Sequence, residues 1–338
     1  MKISVLTGSG FIRQNLTENL KNIRDGKNRT RSGLNITEVL NDIGGDTAVI
    51  LLTEDAPGYR IPELAGFERI IWVLEGSARE GFSLNANSKP SNDLIYTCPR
   101  ITGKWDESNH PVPSMVRAAA FDTPLILSDP EAQAEILFID DLTEEILNAL
   151  EGRPYIKGGN PAFPVTFTFA LTEAAELLKS FSALNDSLFI PKQPENSLSY
   201  RLFSMYLSFL PMERMIYPVR MNTDNRGIFS ELLRFRDNGQ VSINIARPGN
   251  TRGQHWHNSK WEIFIVVSGH GLIEERKIGT DEVRSFEVRG EDMQAVIMLP
   301  GYTHSITNLE NDRDLVTVMY ANELFDPDKP DTYFESVR

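Results

Sequence analysis

The chain has 338 residues, 41% hydrophobic and 24% charged, with a formal net charge of −13. That length accommodates two domains of ordinary size, and no apolar run approaches the roughly 18 residues that a membrane-spanning helix requires. The acidic balance argues against nucleic acid as the main partner, because phosphate binding calls for a basic surface; a local arginine pair can still hold a diphosphate.

The start, Met1-Lys2-Ile3-Ser4-Val5-Leu6-Thr7-Gly8, is too short and too quickly interrupted for a secretory signal. The single cysteine, Cys98, cannot form an internal disulfide and fits a reducing cytoplasm. Residues 1–7 read as a buried strand, followed by Gly8-Ser9-Gly10 and a helix from Gln14 to about Ile23. Strand-like runs recur at 48–52, 69–74, 94–97 and 135–139. The clearest helix covers 140–150, with Asp141 as its N-cap and Leu142, Ile146, Leu147 and Leu150 as its apolar stripe. Strands alternating with helices predict an α/β domain on a parallel sheet. Further helices are expected at 172–181 and 197–209. The second has an aromatic-rich face, read as packing at a domain or subunit contact, and Pro211 closes it.

From Tyr217 onward short strands follow one another, with Gly, Pro, Asn and Asp at the turns: 229–235, 241–247, 262–267, 271–276, 284–288, 295–299, 304–308 and 315–320. This pattern predicts an all-β sandwich or barrel. The expected division is therefore an α/β domain over 1–212 and an all-β domain over 213–338.

Three of the five histidines fall in the second domain at motif spacing. In His255-Trp256-His257 the imidazoles are two residues apart, which on a strand puts both on one face. Glu262 follows the turn-like Asn258-Ser259-Lys260 and is expected to start the next strand pointing inward. His304 follows the turn Leu299-Pro300-Gly301-Tyr302-Thr303. Three neutral imidazoles and a carboxylate suit zinc, iron, nickel or manganese, and the ligand types leave that choice open. His110 and His270 fit no such pattern and read as surface or loop residues.

Gly253–Glu262 and Pro300–His304 resemble the cupin motifs, which implies a double-stranded β-helix barrel and makes His255, His257, Glu262 and His304 the metal ligands. Asp224-Asn225-Arg226-Gly227-Ile228-Phe229-Ser230-Glu231 and Arg252-Gly253-Gln254-His255 resemble strands of the nucleotide-sugar 3,5-epimerases of the rhamnose pathway. Those enzymes use their histidine as a base without metal, whereas here His257 and Glu262 complete a ligand set. Over its full length the chain resembles the bifunctional capsular polysaccharide enzymes that fuse a short-chain dehydrogenase/reductase domain to a zinc cupin. The resemblance is carried by Gln240–Pro248, Gly253–Gly271, Pro300–Asn308, the tail from Asn322 through Phe334, and Ser199–Pro211, similar to their interdomain helix. It implies epimerisation at carbon 3 of a UDP-4-keto-6-deoxy-N-acetylhexosamine, a UDP-sugar substrate, zinc and a homodimer. Lys260 and Tyr302, close in sequence to the ligands, are candidate catalytic residues, and Arg226 and Arg252 are candidate diphosphate ligands.

The first domain departs from that family. Gly8-Ser9-Gly10-Phe11-Ile12-Arg13 is one residue shorter than G-x-x-G-x-x-G and ends in arginine where a glycine is expected. None of the nine tyrosines has a lysine four residues later. The stretch expected to carry that pair is short and ends in Asn87-Ser88-Lys89-Pro90, although Arg100-Ile101-Thr102-Gly103-Lys104-Trp105 still resembles the family's substrate loop. The expectation is a shortened Rossmann-like domain without hydride transfer or tight NADPH binding, with Arg13 as a minor candidate for phosphate. Two other functions fit the second domain: a cupin dioxygenase, and a non-catalytic nucleotide-sugar-binding module.

Overall fold

The structure is a computed structural model that describes residues 1–25, 34, 36–54, 56, 59–61, 63, 64, 66–76, 93–127 and 129–338. The Asn87-Ser88-Lys89-Pro90 stretch lies outside the described residues. The chain divides into two compact units, Met1–Ser182 with Lys192–Met212, and Ala183–Pro191 with Glu213–Arg338. No helix among the described residues is long and apolar enough to cross a membrane.

The first unit opens with β1 (Lys2–Thr7) and α1 (Gly10–Arg24), then β2 (Glu38–Leu40), β3 (Thr47–Leu52), β4 (Arg69–Glu75) and β5 (Leu94–Cys98). These strands form a parallel sheet in the order β2-β1-β3-β4-β5, so the order reverses at β1. Strands β3 and β4 carry continuous apolar runs, and β1 is buried from Ile3 to Thr7, because both faces of a parallel sheet are covered. Val5, Val49 and Ile71 pack on one face, whereas Leu6, Ile50 and Trp72 pack on the other. Ser9 caps α1 by accepting from Ile12 N–H at 3.4 Å, and Ile12, Leu16, Leu20 and Ile23 form its buried stripe.

The chain continues through β6 (Arg100–Thr102), α2 (Pro111–Ala120), β7 (Gln133–Phe138), α3 (Ile139–Leu150), the small hairpin β8 (Ile156–Lys157) and β9 (Asn160–Pro161), β10 (Phe167–Ala170) and α4 (Leu171–Ser182). A second, three-stranded sheet has the order β10-β7-β6. Helix α2 was not expected; the prolines at 111 and 113 disguise it, although proline suits a first helical turn. Asp141 is not the N-cap of α3. Winding begins at Ile139 because Phe138 and Ile139 are buried together, and the Asp141 carboxylate instead pairs with Arg201.

Residues 183–191 carry the single-turn helix α5 (Leu184–Ser187) and belong with the second unit, where Ile190 N–H donates to Arg234 O at 2.9 Å and Arg234 N–H to Leu188 O at 2.8 Å. Helix α6 (Leu198–Ser208) returns to the first unit. Its aromatic face is used inside that unit: Phe203 and Tyr206 lie 4.9 and 5.9 Å, ring centre to ring centre, from Phe181 of α4.

The second unit is built from β11 (Asn222–Asp224), β12 (Gly227–Phe235), β13 (Gly239–Ala246), β14 (Thr251–Trp256), β15 (Glu262–Ser268), β16 (His270–Lys277), β17 (Val283–Arg289), β18 (Ala295–Met298), β19 (Tyr302–Asn308), β20 (Leu315–Ala321) and β21 (Tyr333–Phe334). They form two antiparallel sheets, β11-β12-β13-β20-β15-β18 and β17-β16-β19-β14-β21. An apolar core made by Ala246, Phe264, Val266, Ile273, Val288, Ile306 and Leu315 fills part of the space enclosed. Polar side chains also face this space. On β13 it is Gln240, Ser242 and Asn244 that are buried, while Val241, Ile243 and Ile245 are only half-buried.

Candidate metal centre

Strand β14 reaches the centre through a bulge. Gly253 has φ +92° and Gln254 φ +63°, and the register against β19 slips between Gly253 and His255, which sets His255 opposite His304. A Cβ at Gly253 would lie 2.7 Å from the His304 carbonyl oxygen, so this approach of β14 to β19 requires glycine. His257 lies just beyond β14, its ring centre 4.9 Å from that of His255 and 5.4 Å from that of His304. Glu262 is the first residue of β15, in the other sheet, and its Oε2 is 3.5 Å from His257 Nε2 and 3.3 Å from His304 Nε2. The structure thus brings His255, His257, Glu262 and His304 together, with one candidate ligand atom from each within 4.8 Å of the others.

His257 Nε2, Glu262 Oε2 and His304 Nε2 are buried and have no hydrogen-bond partner among the described residues. Unpaired polar atoms of this kind cost about 1–3 kcal/mol each, more for a charged group, and a divalent cation among them would offset that cost. His257 Nδ1–H donates to the main-chain oxygen of Asp331, which turns Nε2 toward the cluster. Burial first, then the neighbouring His304 and His257, lower the His255 pKa from 6.5 to about 3, so this imidazole is neutral at neutral pH. Burial alone would raise the Glu262 pKa; the facing His257 and His304 outweigh it and hold the carboxyl well below its usual range. A neutral His255 imidazole and an ionised Glu262 carboxylate are the states in which these two groups can ligate a metal. The residues present therefore fit a divalent transition metal, with zinc one of several ions that accept this donor set.

A cavity of about 460 Å³ opens onto the cluster, lined among others by His255, His257, Glu262, Lys260, Arg226 and Arg252. The two arginines share Asp224, at 2.7 Å from Arg226 and 3.3 Å from Arg252. Hydrogen bonding to Arg226 is the main cause that holds the Asp224 carboxyl at about 2 rather than 3.8. The linked stability is present above 3.8 and is lost as pH falls through about 2. In Arg226→Ala the Asp224 carboxyl should titrate closer to its ordinary value by carbon-13 NMR; an unchanged midpoint would show that Arg226 is not responsible.

Tyr302 is not among the residues lining the cavity; the Arg284 guanidinium lies 5.4 Å from the centre of its ring. His270 sits on β16 and bonds Glu287 at 2.7 Å, and His110 is the half-buried residue preceding α2. In the first unit the Arg13 guanidinium turns back to donate to the Thr7 carbonyl oxygen, and a Cβ at Gly8 would meet Ala56 Cβ at 2.5 Å. The glycine turn after β1 is thus packed by this chain's own side chains.

Several lining residues escaped the sequence reading. Gln240, Ser242 and Asn244 face the cavity from β13. Their signal is alternation with the apolar residues on the outer face, the reverse of an ordinary core strand. Phe325 and Phe334, from the tail, also line it.

Fold and site together define a two-unit protein, one unit an open parallel α/β sheet and the other a β-barrel with a three-histidine, one-glutamate cluster. The whole chain superposes on the capsular polysaccharide assembling protein CapF of Staphylococcus aureus with TM-score 0.83 and 31% identity, covering 99% of this chain and 100% of that one. CapF with the inhibitor 3-isopropenyl-tropolone gives TM-score 0.84 and 32% identity at the same coverage. The chain belongs to the CapF-like family of capsular polysaccharide synthesis proteins. It is also 35% identical over 245 residues to the UDP-2-acetamido-2,6-beta-L-arabino-hexul-4-ose reductase of Pseudomonas aeruginosa, a match over 72% of this chain and 65% of that protein. The spore coat polysaccharide biosynthesis protein SpsL of Bacillus subtilis is 26% identical over 120 residues, 32% of this chain and 79% of that protein. Residues 222–333 match the polysaccharide biosynthesis C-terminal domain.

Proposed function

We propose that the chain is a metal-dependent cupin epimerase acting at carbon 3 of a UDP-4-keto-6-deoxy-N-acetylhexosamine in capsular or surface polysaccharide biosynthesis, with no hydride transfer by its first unit. The observation that carries this reading is the His255, His257, Glu262 and His304 cluster opening onto a cavity that also holds Lys260 and the Arg226 and Arg252 pair. The Pseudomonas aeruginosa relative supports the substrate class, since its name specifies a UDP-linked 4-keto sugar.

A hydrogen next to a ketone is acidic enough to remove only when negative charge on the ketone oxygen is stabilised, and a bound divalent ion supplies that Lewis-acid stabilisation. His255, His257, Glu262 and His304 would hold the ion. Lys260 serves as the base that takes the proton from carbon 3, and inversion requires a solvent-derived proton delivered on the opposite face. Arg226 and Arg252 bind the diphosphate, to which their charges are suited. The absence of a Tyr-x-x-x-Lys pair and the packed turn after β1 support a first unit without NADPH chemistry.

The test is incubation with the UDP-4-keto sugar in deuterium oxide, followed by NMR at carbon 3. Deuterium incorporation that a chelator abolishes and zinc restores is expected. Tight binding without exchange would make the chain a binding module. Oxygen consumption by the iron-loaded protein would make it a dioxygenase, and ketone-dependent NADPH oxidation would restore the reductase reading.

A further inference from the structure

The tail after β20 returns to the metal centre, where Asp331 bonds loop 257–260 and Thr332 Oγ1 lies 3.4 Å from His257 Nδ1. The Asp331 carboxylate accepts three successive main-chain N–H groups: Asn258 at 2.9 Å on Oδ1, then Ser259 at 2.8 Å and Lys260 at 3.0 Å on Oδ2. The Ser259 hydroxyl adds a fourth bond at 3.2 Å. The Asp331 main-chain oxygen takes the Nδ1–H of His257. One residue therefore grips the loop 257–260 through both its side chain and its backbone, and this loop carries a candidate ligand at one end and Lys260 at the other.

Asn258 and Ser259 are exposed, so water would satisfy their N–H groups if the carboxylate were absent. Those two bonds are not needed to pair buried donors. They fix where the loop stands. The rest of the tail is anchored independently: β21 pairs with β14 at His255 and Trp256, Val337 N–H donates to Gln254 Oε1 at 2.7 Å, and Arg276 bonds Glu335 and the Val337 carbonyl, each at 2.8 Å. The loop keeps a bond of its own, from Gly301 N–H to His257 O at 2.7 Å.

We infer that Asp331 is a positioning residue for the metal centre, fixing the His257 ring and setting Lys260 at the cavity wall through its hold on loop 257–260. This rests on the metal-dependent reading above. Hydrogen-bond partners of metal-ligating histidines typically affect metal affinity by about 10- to 100-fold, and here the partner's own position is set by its carboxylate.

The experiment compares the full-length wild type, Asp331→Ala and Asp331→Asn by zinc competition against a chromophoric chelator, by visible absorption of the cobalt-loaded proteins, and by melting temperature of the metal-free proteins. Asp331→Ala should bind zinc about 10- to 100-fold more weakly, show a changed cobalt spectrum, and melt like the wild type when metal-free. Asp331→Asn, which keeps one acceptor oxygen, should recover part of the affinity. Wild-type zinc affinity and cobalt spectrum in Asp331→Ala would overturn the inference. So would weaker zinc binding accompanied by a lower metal-free melting temperature and an unchanged cobalt spectrum, which is the signature of a purely structural residue. A wild type that binds no metal would overturn the metal-dependent reading and this inference together, whereas metal binding unaffected by Asp331→Ala removes the inference alone.

Discussion

Glu262→Gln should lose metal binding and, with it, deuterium exchange at carbon 3. The substitution preserves shape but replaces the only anion of the four with a neutral amide, a poor ligand for the transition metals that imidazoles favour. Loss of a partner to a ligand costs about 10- to 100-fold in affinity, and loss of the ligand charge itself should exceed about 100-fold. Thermal unfolding gives a direct reading. Metal at about 100 times its Kd stabilises the wild type by about 2.7 kcal/mol, a rise of several degrees, and the variant should gain nothing at the same concentration. Without metal the variant should remain folded, because a buried amide costs less than a buried carboxylate. A thermal gain equal to that of the wild type would remove Glu262 from the ligand set.

The second large effect is expected at Lys260. Lys260→Ala should lower the exchange rate by about 10²- to 10⁴-fold, the range for loss of a positioned general base, while zinc content stays at the wild-type level. Lys260→Arg should not rescue it, because a guanidinium does not give up its proton near neutral pH. Tyr302→Phe, whose ring is not part of the cavity lining, should leave exchange unchanged. Wild-type exchange in Lys260→Ala would assign proton transfer to another lining residue, with the metal assignment left standing.

The parts of the fold legible in the sequence were those governed by local chemistry. Apolar-rich runs marked β1, β3 and β4 because a parallel sheet buries both faces. Turn residues marked the strands after Tyr217. Other elements were hidden by their context. Helix α2 lay behind its prolines. The start of α3 was misplaced because Asp141 resembles a cap, whereas Arg201, sixty residues away, claims its carboxylate. Residues 183–191 join the second unit through hydrogen bonds with Arg234 that no local pattern reveals.

The same division applies to the site. The spacing of His255, His257 and Glu262 and the turn before His304 determined which residues are candidates, since a strand end and a tight turn fix side-chain direction over a few residues. Only the tertiary structure decided how they meet. The bulge at Gly253 sets His255 against His304, and Glu262 arrives from the opposite sheet. Asp224 joins Arg226 to Arg252, and Tyr302, close to His304 in sequence, falls outside the cavity lining. The polar row on β13 and the carboxylate of Asp331 became visible only there as well. Each takes its meaning from a surface or loop that is distant in sequence, and contacts of that range are set by sheet pairing and packing, which local propensity does not encode.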